Sequence, residues 1–161
     1  MRGVVLALAL GLAGCLAPAS PERSQLNPPV IGTTDGCTAA YWIESQDSGS
    51  WEEHQPTQLL GTLFSQAGPY EGTTLAEALR LEDDPTNESA QASLMREAVA
   101  GLLNAAHDSL EYPYRRYDPG IDGRPGIVPH TNELMASGST ERIKTFAAEL
   151  TSANDLGCPL E

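Results

Sequence analysis

Three cysteines divide the chain unevenly, at positions 15, 37 and 158. An odd count leaves one to be explained apart from pairing. Cys15 ends an apolar run, and any processing of that run takes it out of the pairing problem. Cys37 and Cys158 remain, 121 residues apart. In an oxidising extracytoplasmic compartment two such cysteines pair; the competing reading is two free thiols. A bridge here would force the two ends of the folded region together. Chain entropy assigns a closure of that length about 4.9 kcal/mol, an upper figure.

The start, MRGVVLALALGLAGC, carries one cation, Arg2, and then ten apolar residues from Val4 to Ala13. A membrane-crossing helix needs roughly 20, so residues 1–14 read as a secretory signal peptide. Leu12-Ala13-Gly14-Cys15 resembles the lipobox of bacterial lipoproteins. That resemblance implies cleavage before Cys15, lipid on its sulfur and a bacterial membrane as partner through that lipid. Two or more acyl chains anchor a protein stably, whereas one holds it marginally. Ala17-Pro18-Ala19 offers the alternative, cleavage after Ala19 and release as a soluble secreted protein.

Residues 15–35 read as a tether. The stretch 16–36 holds four prolines and almost no periodicity, and a Pro-rich linker of that length extends to roughly 60 Å. Residues 36–161 are then long enough for one core. The net charge of −13, with Lys144 as the only lysine, repels phosphate backbones and argues against a nucleic acid partner.

The segment 86–108 predicts the main helix. Leu94, Met95, Ala98, Val99, Leu102, Leu103 and Ala106 recur at steps of three and four. Thr86 or Asn87 would cap it, Glu88 suits its positive end, and His107 its negative end. Gly101, in mid-helix, costs up to about 1 kcal/mol relative to Ala unless close packing requires it. A second helix is predicted over 139–155, capped by Ser139 and burying Ile143, Phe146, Ala147, Leu150 and Ala153. Shorter helices are expected at 57–66, 73–81 and 131–137. No stretch alternates as a strand does. The expected fold class is all-α: a small irregular helical domain closed by one disulfide and preceded by the Pro-rich tether, with long irregular segments at 43–56 and 109–130.

Few residues carry recognisable chemistry. HExxH, CxxC, GxSxG and phosphate-loop patterns are missing from the sequence, so it assigns no catalytic residue, cofactor or metal ligand. His54, His107 and His130 lie far apart. His130 and Glu133, one turn apart, are the one candidate zinc pair. Asp118 and Asp122 in YDPGIDGRPG are a candidate calcium turn, against a plain Pro/Gly turn. Tyr112, Tyr114 and Tyr117 are a candidate binding surface: exposed rings there would stack on cell-wall sugars, whereas buried rings would cover the core. Tyr41, Trp42 and Trp51 are expected in the core near the disulfide.

The stretches GCTAAYW (36–42), LLNAAHDSLEYPY (102–114) and AAELTSANDLGCPL (147–160) resemble a family of secreted bacterial domains of unknown function. Its members open Gly-Cys-Thr-Pro-Gly-Tyr-Trp-Lys-Asn-His, pass through Leu-Asn-Ala-Ala and a Tyr-Pro step, and close Ala-Asn-x-Leu-Gly-Cys-Pro-Leu. The resemblance spans 36–160 and implies both terminal cysteines and an extracytoplasmic location, but no activity. This chain departs at the opening, where Ala39-Ala40 replace Pro-Gly and Ile43-Glu44-Ser45 replace Lys-Asn-His. The functional expectation is a membrane-anchored lipoprotein with a non-catalytic interaction or structural domain that meets an envelope protein or cell-wall component. The alternatives are an envelope hydrolase using carboxylates or His130, and a carbohydrate binder through the three tyrosines.

Overall fold

A single long helix runs through the middle of the domain, and the other elements pack around it. The computed structural model describes residues 34–47, 49–82, 87–120 and 122–160. The signal segment, Cys15 and nearly all of the tether lie outside the described residues, as do the side chains expected to cap the main helix.

Five helices are described: α1 (Ala39–Glu44), α2 (Leu75–Ala78), α3 (Asn87–Ala106), α4 (Ile127–Ser137) and α5 (Thr140–Asn154), with 3-10 turns at Leu60–Thr62 and Gly68–Tyr70. The only β-type pairings among the described residues are two isolated bridges, Gly36 with Gly157 and Leu59 with Thr74. The domain is therefore helical, as the periodicity predicts. α3 packs most extensively on α5, and also touches α4, α1 and α2. It is buried on more than one stripe: Ala100 and Asn104 are as inaccessible as Leu94, Met95, Ala98 and Leu102. A helix apolar nearly all round belongs inside a fold rather than on its surface.

The boundaries have local causes. α1, which periodicity does not reveal, is started by Thr38, whose hydroxyl accepts from the Tyr41 amide at 3.3 Å. α2 is a capping box: the Glu77 amide donates to Thr74 Oγ1 at 3.2 Å, and the Thr74 amide donates to Glu77 Oε2 at 2.9 Å. The helix expected at 57–66 does not form beyond one tight turn. There the Leu60 and Gly61 amides donate to the carbonyls of Thr73 and Glu71, at 2.8 and 3.1 Å, so the segment pairs with its neighbour instead. α4 starts at Ile127, four residues before the expected 131, because Pro129 falls in its first turn, where no amide is required. It ends at Gly138, whose φ of 63° suits a left-handed cap. α5 matches its expected span, although Ser139 makes no side-chain cap.

The ends of the domain meet. Cys37 and Cys158 form a disulfide with Cα atoms 4.5 Å apart. The Gly36 amide donates to the Gly157 carbonyl at 3.1 Å beside it. Trp42 and Trp51 are buried close by in the chain, and the Trp51 indole donates to the Trp42 carbonyl at 3.2 Å.

Candidate functional site

Under the disulfide lies a buried polar node built by residues from three separate segments. Asn104, on α3, is fully inaccessible and uses both ends of its amide. Its oxygen accepts from the Cys37 amide at 2.9 Å and the Trp42 indole at 3.1 Å. Its nitrogen donates to the Cys37 carbonyl at 2.9 Å and to Asn154 Oδ1 at 3.0 Å. Asn154, the last residue of α5, also accepts from the Tyr112 hydroxyl at 2.6 Å. Its own amide donates to the Glu97 carboxylate at 2.9 Å, and Arg96 holds the other oxygen of that carboxylate at 2.9 Å. Each buried amide is spent, so the node costs no unmet desolvation. The stretches 36–42, 102–114 and 147–160 therefore converge on one point.

The segment 107–126 carries the tyrosines. Tyr114 is buried, Tyr112 is partly buried, and only Tyr117, 51% exposed, presents a ring to solvent. The Tyr112 and Tyr114 rings are tilted 42° to each other with centroids 6.1 Å apart. The three do not form a shared exposed platform, because Tyr112 is drawn inward by Asn154 and Tyr114 packs edge-on to Phe146 at 6.0 Å. Burial pushes both phenols above their ordinary pKa, with the charge of Glu149 adding to the effect at Tyr114.

Two open cavities flank this segment. One, of 580 Å³, lies against α5 and is lined by Thr34, Tyr114, Arg124, Glu149 and Leu156 among others. Arg124 stands 5.5 Å from the Tyr114 ring centroid and is paired with Asp122. The other, of 340 Å³, lies towards the end of α3 and is lined by Leu110, Tyr114, Arg115, Arg116, Tyr117 and Asp118 among others.

The histidines are not brought together into one site. His54 is buried, with Nδ1 3.3 Å from Gln58 Oε1 and Nε2 without a partner among the described residues. Its burial holds its pKa below the ordinary value. His107 follows α3 and lies 3.7 Å from Glu52. His130 packs edge-on to Phe146, with centroids 4.6 Å apart, and lies 3.4 Å from Glu133. Arg142 takes the other oxygen of Glu133 at 2.6 Å and holds that carboxyl below its usual pKa. A 190 Å³ cavity beside His130 also meets Glu141 and Glu149. Among the described residues no three His, Cys, Asp or Glu side chains are placed to hold a metal ion. Asp122 is engaged by Arg124, the Gly120 amide donates to the Arg124 carbonyl at 2.7 Å and the Gly123 amide to the Gly120 carbonyl at 3.0 Å.

No protein-family model, curated protein or solved structure matches the chain. Sequence reasoning missed the node. Its signal was present: Asn154 continues the Ile143, Ala147, Leu150 stripe, and Asn104 interrupts Leu102, Leu103 and Ala105. A polar residue on a buried face must find partners.

Proposed function

We propose that this chain is a lipid-anchored, extracytoplasmic bacterial protein whose helical domain works by offering a surface to an envelope protein or cell-wall component. The observation that carries this reading is the Cys37–Cys158 bridge together with a third cysteine at the end of a short apolar run. Such bridges persist in oxidising compartments. A bridge that closes the domain on itself leaves Cys15 for the lipid. The Pro-rich stretch between Cys15 and the helical domain supports the same reading, since it would hold the domain away from a lipid on Cys15. The polar node is a structural feature of this domain, because its side chains are consumed by bonds within the fold. The acidity disfavours nucleic acid and anionic lipid heads as partners of the domain itself.

Mass spectrometry of membrane-extracted protein tests the anchor. A diacylglyceryl-modified N-terminal Cys15 is the expected result, with Cys15→Ser moving the protein to the soluble fraction. A mature chain starting at Ser20 would reject it.

A further inference from the structure

We propose that the 340 Å³ cavity at the end of α3 is a binding site for an acidic sugar, with the Arg115 guanidinium taking the carboxylate and the Tyr117 ring taking the pyranose face. This goes beyond surface presentation and does not depend on the anchor.

The argument starts from how the arginines are used. Six lie among the described residues, and five are occupied. Arg80 donates to the Ala76 carbonyl at 2.7 Å. Arg96 binds Glu97 and the Leu81 carbonyl, at 2.9 and 3.0 Å. Arg116 pairs with Glu53, Arg124 with Asp122 and Arg142 with Glu133. Arg115 is exposed, and its side chain has no hydrogen bond or ion pair among the described residues. In a chain with 22 acidic residues against 9 basic ones, a guanidinium without a carboxylate is out of pattern. Its backbone is nonetheless fixed, because its carbonyl accepts from the Ile127 amide at 2.9 Å at the start of α4. A fixed cation with an open fork is what bidentate carboxylate recognition requires.

The rest of the cavity suits a sugar. Tyr117 is half exposed, and Arg116 stands 5.9 Å from its ring centroid. An exposed phenol ring offers an apolar face with a polar rim. Asp118, on the same wall, has no partner among the described residues and would accept from ring hydroxyls. It would also repel an anion placed beside it, so the carboxylate belongs at the Arg115 end. Leu110 and Ala105 give the cavity an apolar floor. Its volume is at the lower end of the small-molecule range, about 300 to 1,000 Å³. That fits one or two sugar rings and not a chain of any bulk.

Isothermal titration of the full chain in detergent micelles tests this with four probes: a disaccharide carrying a single uronic-acid ring, the neutral glucan of equal length, acetate and inorganic phosphate. The uronate is expected to bind, and the neutral glucan about tenfold more weakly or worse. Arg115→Gln should weaken the uronate by about the same factor. Tyr117→Ala should weaken it as well, and Tyr117→Phe should restore it. Both side chains are exposed, so all the variants should melt with the parent. Absence of uronate binding, equal affinity for the neutral glucan, or indifference to Arg115→Gln would overturn the proposal. Acetate or phosphate binding as tightly as the uronate would overturn the sugar part of it. Anchoring is read separately, from the mass of the Cys15 terminus, so either idea can fail alone.

Discussion

The C-terminal half of α3 borders two polar regions that treat their side chains in opposite ways. Beneath the disulfide, Asn104 and Asn154 are almost wholly inaccessible and fully bonded. Beside it, Arg115, Tyr117 and Asp118 sit at the surface, and the Arg115 side chain has no partner among the described residues. The first region spends its polar atoms on joining segments that are distant in sequence. The second keeps atoms in reserve on a backbone that the first has positioned, since Tyr112 belongs to both. Binding capacity and structural duty are thereby separated over a few residues.

Asn104→Leu should have the largest effect and tests the first half of that contrast. It keeps the volume but leaves the Cys37 amide, the Cys37 carbonyl and the Trp42 indole unpaired. Each buried orphan costs roughly 1–3 kcal/mol, so a loss of about 4 kcal/mol in denaturant unfolding is expected. Arg115→Gln measured the same way should shift stability by less than about 0.5 kcal/mol, the range for a surface change. Similar losses for the two would erase the distinction.

How far the sequence foretold this arrangement depends on the range of the interactions. α3 and α5 were legible because their apolar residues recur at helical steps. The disulfide was legible from parity and from the compartment that the apolar start leads one to expect. α1 was not, since six residues carry too little periodicity and its cause is a single Thr38 cap. The turn at Leu60–Thr62 took the place of a helix because the Thr73 and Glu71 carbonyls, outside the segment, capture its amides. The tyrosines could be listed but not oriented: Tyr112 turns inward for Asn154, 42 residues away. Arg115 could not be told from the other arginines until their partners were in place.

A third polar position falls between these cases and predicts an effect of acid. His54 is buried like Asn104, yet its Nε2 has no bond among the described residues. Gln58 faces Nδ1, and the charges acting on the ring are those of Arg116 and Glu53. Desolvation lowers its folded pKa, so the unfolded chain binds the proton more readily. Stability contributed by neutral His54 is complete above the unfolded value of about 6.5 and is lost as pH falls from there towards the folded value. Glu53, Glu77 and Glu133 have lowered pKa values, so their contributions fade only at lower pH. Melting temperature should therefore fall between about pH 7 and pH 5, and His54→Leu should flatten that slope. An unchanged slope in the variant would show that the unbonded ring carries no charge penalty.

A last predicted effect lies where the two regions touch. Gly101 is an exception to helix propensity, since Ala would be favoured there by about 1 kcal/mol. A Cβ at that position would meet the Tyr112 hydroxyl at 3.0 Å, Ile127 Cδ1 at 3.4 Å and Asn154 Oδ1 at 3.6 Å. The hydroxyl has little room to yield, because its 2.6 Å bond to Asn154 is tied through Asn104 to the backbone of Cys37. Gly101→Ala should therefore destabilise by about 1 kcal/mol in spite of its propensity gain. In a Tyr112→Phe background the obstructing oxygen is gone, and the same change should become neutral or stabilising. A double-mutant cycle reads the coupling directly, independent of what each substitution does alone. Additive values would mean that Gly101 is indifferent to Tyr112. The 107–126 segment would then owe its placement to contacts other than the polar node.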